Sequence, residues 1–232
     1  MIVLKSAREI QAMHESGKIL AACHREIAKL IVPGVTTWEI EEFVEGFLKK
    51  HGAKPEQKGY KGYEYATCAS INEEICHGFP RKTPLKNGDI VTIDMVVNYN
   101  GALADSAWTY TVGKVSKETE HLVSVTKESL YKAIEVCVEG NRIGDIGHAI
   151  QTYVEAEGFS VVRDFIGHGI GNVIHEEPQV PNYIDRKNEN PRLKEGMVLA
   201  TEPMVNAGKG ESKVLSDRWT AVTVDGSNSA HF

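Results

Sequence analysis

The sequence has no excess of basic residues, no long apolar run and no paired cysteine spacing, and each absence removes a class of function. Lys and Arg number 26 against 32 Asp and Glu, a net charge of −6. Binding through nucleic-acid phosphates needs a basic face, so nucleic acid is not expected as a primary ligand. No uncharged apolar stretch approaches the ~18 residues of a membrane-spanning helix, so no membrane partner is expected. Lys5, Arg8 and Glu9 interrupt the start of the chain, which leaves no apolar core for a secretory signal. Cys23, Cys68, Cys76 and Cys137 are scattered without a Cys-x-x-Cys pair, the pattern of free thiols in a reducing cytoplasm. What remains is an ordinary globular composition, in a chain of 232 residues that can bury a core without covalent staples.

Helical and extended patterns alternate along the chain. Ser6-Ala-Arg-Glu9 has capping-box spacing and opens a long amphipathic stretch that Pro33-Gly34 ends. Thr36-Thr-Trp-Glu39 repeats the signal, followed by Ile40, Phe43, Val44, Phe47 and Leu48 at helical spacing up to His51-Gly52. A further helix is predicted from Ser116 to about Val138, and another from Asp145, its cap, to Glu157-Gly158. Short β-type runs lie at 90–97, 103–112, 159–165, 197–201 and 220–224. The punctuation of the first half recurs in the second. Shifted by 106 positions, Val32-Pro-Gly34, Glu39-Ile40 and Gly52 fall on Val138-Glu-Gly140, Asp145-Ile146 and Gly158, and the apolar helix positions coincide. This points to an internal α+β duplication within one domain spanning 1–232, with halves of about 1–112 and 113–232 and a pocket at their junction.

Asn100-Gly101 between two β-type runs marks a hairpin. A two-residue loop makes Asp94 and Asp105 diagonal neighbours across it, and a four-residue loop sets them directly opposite. In both registers the two carboxylates share a face, with β-carbons within about 8 Å. At ~4 Å separation like charges repel by about 4 kcal/mol near a surface, so the pair is either solvated on an exposed face or offset by a shared proton, a basic residue or a cation. Gly167-His168-Gly169-Ile170-Gly171 is not a dinucleotide loop, since Asn172 occupies the place of the third glycine. Its flanking glycines remove bulk, so that a ligand can approach the His168 imidazole. His175-Glu176-Glu177-Pro178 cannot be a zinc-binding helix, because Pro178 breaks it and no second His follows at the required spacing. Glu202 ends an apolar run before Pro203, a costly place for an unpaired carboxylate. Two Asp, a Gly-flanked His and a strand-end Glu make an oxygen-rich set suited to Mn²⁺, Fe²⁺, Co²⁺ or Zn²⁺. Carboxylates able to bridge suit a two-metal hydrolytic centre.

These motifs resemble the short, bacterial-type methionine aminopeptidases. The carriers are Ser70-Ile-Asn-Glu-Glu-Ile-Cys-His-Gly-Phe-Pro80, Gly88-Asp-Ile-Val-Thr-Ile-Asp94, Gly167-His-Gly-Ile-Gly171, His175-Glu-Glu-Pro178 and Thr201-Glu-Pro-Met204. The resemblance covers essentially the whole chain. It implies the pseudo-two-fold α+β "pita-bread" fold, an antiparallel sheet covered by helices. It implies two divalent ions per subunit (Co, Mn, Fe or Zn) held by Asp94, Asp105, His168 and Glu202, with Asp105 bridging. His175 would polarise the scissile carbonyl, His77 would hold the peptide beside its first amide, and Glu202 would shuttle a proton. Tyr60, Tyr63, Cys68, Ile174, Met204 and Trp219 match positions of the methionine pocket, where aromatic rings and sulfur suit a thioether. The implied substrates are N-terminal Met-peptides of nascent proteins with a small second residue, in the cytoplasm, with the ribosome as a candidate neighbour and a monomer as the expected state.

Two departures from the family pattern follow. Ala102-Leu-Ala-Asp105 stands where the family usually carries an aromatic residue and often a His before its second Asp. The family's fifth ligand, a Glu, would come directly after Ser229-Ala-His-Phe232, so position 233 is expected to be Glu. On that reading the run 219–224, the turn at Asp225-Gly226 and the segment from Ser229 form a hairpin whose second strand is cut short, and the 232-residue form is expected to hold fewer than two ions and to turn over slowly. An impaired peptide-binding relative and a proline-specific relative are the competing expectations.

Overall fold

A computed structural model of the chain describes residues 1–187 and 189–232. Helix α1 (Ala7–Leu30) begins where the Ser6 and Glu9 side chains each accept from the other's backbone N–H, and α2 (Thr37–Lys50) begins with the same reciprocal pair at Thr36 and Glu39. Between them and the central hairpin lie β1 (Lys54–Pro55), β2 (Cys68–Ile71) and β3 (Glu74–Cys76). The hairpin is β4 (Ile90–Tyr99) and β5 (Ala102–Thr111), paired from Ile90↔Thr111 to Tyr99↔Ala102. Its loop has two residues, Asn100 and Gly101, at φ 54° and 86°. Successive left-handed residues match the twist of the flanking strands, and this selects the two-residue loop over the four-residue one. Asp94 therefore faces Ala107 and Asp105 faces Val96, a diagonal pair on one face. The other edge of β4 is shared by β1 and β2.

Alternation along the hairpin separates core from site. Val91, Ile93, Met95 and Val97 point away from the two Asp and pack with Leu20, Cys23, Ile27, Ile40, Val44 and Leu48 of the covering helices. The opposite face is left for polar side chains, among them Thr92 and Thr109, whose hydroxyls lie 2.8 Å apart.

The second half opens with α3 (Lys117–Val136), capped by Ser116, and α4 (Ile143–Ala156). The bounds of α4 are those of α2 displaced by 106 positions, and the glycines at 34, 52, 140 and 158 all have positive φ. Asp145 is not the cap: Arg142 holds that place, and Asp145, in the first turn, accepts from the Arg142 N–H at 2.7 Å. The helices cover short strands: β6 (Ser160–Val161), β7 (Gly167–Gly169), β8 (Glu176–Val180), β9 (Leu199–Ala200), β10 (Met204–Asn206), β11 (Ser212–Val214), β12 (Ala221–Thr223) and β13 (Ser229–His231). Their core joins Leu122, Val125, Ile146, Ile150 and Val154 to Val161, Val180 and Val205.

The runs at 159–165 and 197–201 form strand over only two residues each. The expected hairpin of 219–224 with the segment from Ser229 does not form. β12 has one edge on β11 and the other on β3, while β13 pairs with β10 from Met204↔His231 to Asn206↔Ser229. Asp225 explains the divergence: it accepts from the N–H of Lys209 and of Ser227, which ties this turn to another loop instead of closing a hairpin. No helix among the described residues is long and apolar enough to cross a membrane.

Candidate metal centre

The inner face of the β4–β5 hairpin meets β7 and the end of β9, and there Asp105, His168 and Glu202 converge. One ligating atom from each lies within 4.8 Å of the others. His168 Nε2 is 3.0 Å from Glu202 Oε1 and 3.5 Å from Asp105 Oδ2. Its Nδ1 is 2.9 Å from the Gly169 carbonyl. Donation from Nδ1–H to that carbonyl directs Nε2 at the carboxylates, the orientation used by metal-bound imidazoles. The flanking glycines have another reason than the one expected. A β-carbon at Gly167 would run into the Ala200 carbonyl and one at Gly169 into the Glu177 carbonyl, so both serve strand packing rather than ligand access.

Asp94 lies outside this tight triple, on the diagonal from Asp105. Burial, reinforced by the Asp105 charge, pushes the Asp94 carboxyl up to about 8, and burial likewise raises Asp105. Burial would also raise Glu202, but His168 and His231 beside it hold it below the usual carboxylate range. Burial alone would lower His168, yet Asp105 and Glu202 win and drive it up to about 11. The site thus concentrates negative charge that favours a proton on the His168 imidazole. A divalent cation in that proton's place meets the same demand.

The donor set fits such an ion. Glu202 Oε1 is buried and has no hydrogen-bond partner among the described residues, although His168 Nε2 is 3.0 Å away. An acceptor and an imidazole nitrogen that close but out of line are placed to share a third atom between them. Carboxylate oxygen with imidazole nitrogen suits Mn²⁺, Fe²⁺, Co²⁺ and Zn²⁺.

Of the remaining residues singled out in the sequence, His175 adjoins His168 and Cys68 adjoins Asp94. The His175 ring lies 4.3 Å from that of His168 between centroids, and its Nδ1 is 3.0 Å from the Tyr60 hydroxyl. Burial, with His168 nearby, lowers His175 to about 4, so it is neutral at pH 7. His77 has φ 59°, a left-handed backbone that non-glycine residues rarely adopt. Its ring stands edge-on to Trp219 at 6.2 Å and to Phe165 at 5.6 Å. Burial lowers the His77 pKa as well. Tyr63 meets Trp219 at 5.0 Å and spends its hydroxyl inside the fold, between the carbonyls of Thr67 and Gly78. Cys68 pairs with Asp94 across β2 and β4. Ile174 packs beside Tyr60. Met204 sits in a small cluster with Cys76 and Phe165.

Four neighbours were not singled out. Phe79 lies 5.5 Å from Tyr63, and Phe165 touches His77. Gln57 donates to the Asp94 carbonyl at 3.3 Å and lies 3.5 Å from the Cys68 sulfur. His231 is 2 % exposed, and its Nε2 is 3.6 Å from Glu202 Oε2. Neither of its ring nitrogens has a hydrogen-bond partner among the described residues. Only its place in Ser229-Ala-His-Phe232 hinted at it. An open groove lined by Ser106, Trp108, Tyr131, Ile134, Leu199 and Phe232 also reaches Asp105 and Glu202, and it includes none of the methionine-pocket positions.

A pseudo-two-fold α+β fold with carboxylates and imidazole at the junction of its halves is the frame of a metal-dependent hydrolase. The model of metallopeptidase family M24 matches residues 11–224. Methionine aminopeptidase 1 of Bacillus subtilis is 52% identical over 232 residues, covering 100% of this chain and 93% of the relative. Methionine aminopeptidase of Clostridium perfringens is 49% identical over the same span, with 93% of the relative covered. A methionine aminopeptidase structure from Thermotoga maritima superposes with a TM-score of 0.97 at 48% identity, covering 100% of this chain and 93% of that one. Prolidase from Pyrococcus furiosus shares the fold alone, with a TM-score of 0.75 at 22% identity over 99% of this chain and 61% of that one. The chain belongs to the methionine aminopeptidases of metallopeptidase family M24.

Proposed function

We propose that this chain hydrolyses the first peptide bond of polypeptides that begin with methionine and carry a small second residue. The observation that carries the reading is the convergence of Asp105, His168 and Glu202 in a chain so similar to enzymes named for that activity. Asp94, Asp105, His168 and Glu202 would hold the divalent ions, two being proposed, with Co, Mn, Fe or Zn as candidates. Bound there, such ions supply Lewis acidity toward a water and toward a carbonyl oxygen.

The protein's own groups do the rest. Tyr60 donates its hydroxyl hydrogen to His175 Nδ1, which leaves Nε2–H of the neutral ring as a donor to the scissile carbonyl as charge develops on its oxygen. Glu202 takes a proton from the attacking water and passes it to the leaving amine. His77, neutral through burial, holds the amide beside the scissile bond. Tyr60, Tyr63, Cys68, Ile174, Met204 and Trp219 form the pocket, with Phe79 and Phe165 extending its aromatic wall. Nascent chains are the proposed substrates, with a monomer working in the cytoplasm beside the ribosome. Four unpaired cysteines support the reducing compartment.

The impaired reading is not favoured, since three of the four proposed ligands lie together and the relatives are named as enzymes. The test is a panel of Met-Ala, Met-Val, Leu-Ala and Ala-Pro peptides against protein dialysed and reconstituted with each metal, with bound metal counted in parallel. Hydrolysis of the first two alone supports the proposal. Preference for the Pro peptide supports the proline-specific reading.

A further inference from the structure

We infer that Lys5, from the segment before α1, is a positioning residue that sets His175 through a buried ion pair with Glu176. The inference rests on the proposed role of His175. The Lys5 side chain is 4% exposed and that of Glu176 12%, and the ammonium group contacts Glu176 Oε2 directly. The other carboxylate oxygen, Oε1, accepts from the Asn172 N–H at 2.7 Å. One carboxylate thus gathers the loop that runs from the glycine-rich strand into His175 and ties it to the chain's first residues.

The tie is anchored at both ends. The Lys5 N–H donates to the Gly196 carbonyl at 2.7 Å, just before the segment that leads to Glu202. Lys5 Nζ also reaches the Val3 carbonyl at 3.3 Å. Gly171 is what lets the lysine through, because a β-carbon there would run into Lys5 Cε. The last glycine of Gly167-His-Gly-Ile-Gly171 therefore makes room for the strap rather than for a ligand.

His175 needs such support. Its side chain makes a single hydrogen bond among the described residues, with Tyr60, which stands beside Lys61 and Gly62 at positive φ. The backbone of residue 176 fixes the ring from the other side. A displacement of the ring by an ångström is enough to cost a catalytic donor about 100-fold. A group felt mainly in the transition state should register in kcat more than in KM.

The experiment measures kcat and KM on a Met-Ala peptide for Lys5→Met, Glu176→Gln and His175→Ala, and for each of the first two combined with His175→Ala. Bound metal and Tm are recorded alongside. In metal-free protein, imidazole NMR signals are compared, with the His175 signal assigned by its loss in H175A. The inference predicts about 10- to 100-fold lower kcat for K5M with metal content unchanged, a shifted or broadened His175 signal, and no further loss from K5M in the H175A background. Should K5M fail to fold, Gly171→Ala displaces the same strap with its charges intact and should show the same epistasis. Lowered Tm with unchanged kcat and an unmoved His175 signal, or losses that multiply with H175A, would overturn the inference. If H175A itself leaves turnover intact, the site reading falls first.

Discussion

Trp219 illustrates how one side chain separates selection from catalysis. Its ring meets Tyr63 at 5.0 Å and His77 at 6.2 Å, yet it touches none of the proposed metal ligands in the described contacts. Trp219→Ala should therefore reduce the preference for Met-Ala over Leu-Ala by about tenfold, the loss of an aromatic contact of roughly 1.4 kcal/mol, while bound metal stays constant. Loss of metal with the preference kept would refute the pocket assignment. His24 makes a separate prediction about pH. It is fully buried against Trp108, its Nε2 lies 3.1 Å from the Ser106 carbonyl, and burial holds it down at about 3, against an ordinary value of 6.5. A depressed histidine binds its proton more readily unfolded, so its contribution is complete above about pH 6.5 and is lost as pH falls toward 3. The fully developed effect is on the order of 5 kcal/mol. Urea unfolding from pH 7 to 4 should show this fall in the wild type and a shallower one in His24→Gln. An NMR signal of His24 that titrates near pH 6 would contradict it.

Helices α2 and α4 coincide in sequence punctuation and in structure, but what they hold differs. Ile40, Val44 and Leu48 are buried like Ile146, Ile150 and Val154. At the next pair of equivalent positions stand Glu41 and Gly147. Glu41 accepts from Ala66 N, Thr67 N and Thr67 Oγ1 at 2.6, 2.9 and 2.6 Å, which fixes the segment leading into Cys68. Gly147 instead lets carbonyls approach the helix: a β-carbon there would stand 2.6 Å from the Pro181 oxygen and closer still to that of Tyr183. Alanine is the better helix former by about 1 kcal/mol, yet overpacking costs roughly 1–3 kcal/mol. Gly147→Ala should be net destabilising in chemical denaturation, by up to about 2 kcal/mol. A rise in stability would show that this loop yields easily. The match between the two helices was legible because caps and apolar faces are local signals. Whether position 41 or 147 meets donors or acceptors is decided by a distant loop, and no helix periodicity reports that.

At the scale of the whole molecule, the candidate site was legible in the sequence where a turn or a motif pinned geometry. Asn100-Gly101 placed Asp94 and Asp105 on one face, although only the observed left-handed pair chose the diagonal register. His168 and Glu202 sit on strands of three and two residues and their borders, too short for alternation to mark a face, so they were legible by residue type and by their glycine and proline neighbours rather than by periodicity. His231 was hidden because β13 pairs with β10 and not with β12, the turn at Asp225 being tied to the loop at Lys209. The Lys5–Glu176 tie spans 171 positions and left no trace in local pattern. The central claim joins these parts: two halves bring acidic groups and imidazole together to remove a first methionine. It is tested most directly by intact mass spectrometry of two otherwise identical proteins beginning Met-Ala and Met-Lys, incubated with the metal-reconstituted chain. The account predicts loss of one methionine residue from the Met-Ala protein alone, abolished in His168→Ala. Two unchanged masses, or equal loss from both proteins, would contradict it.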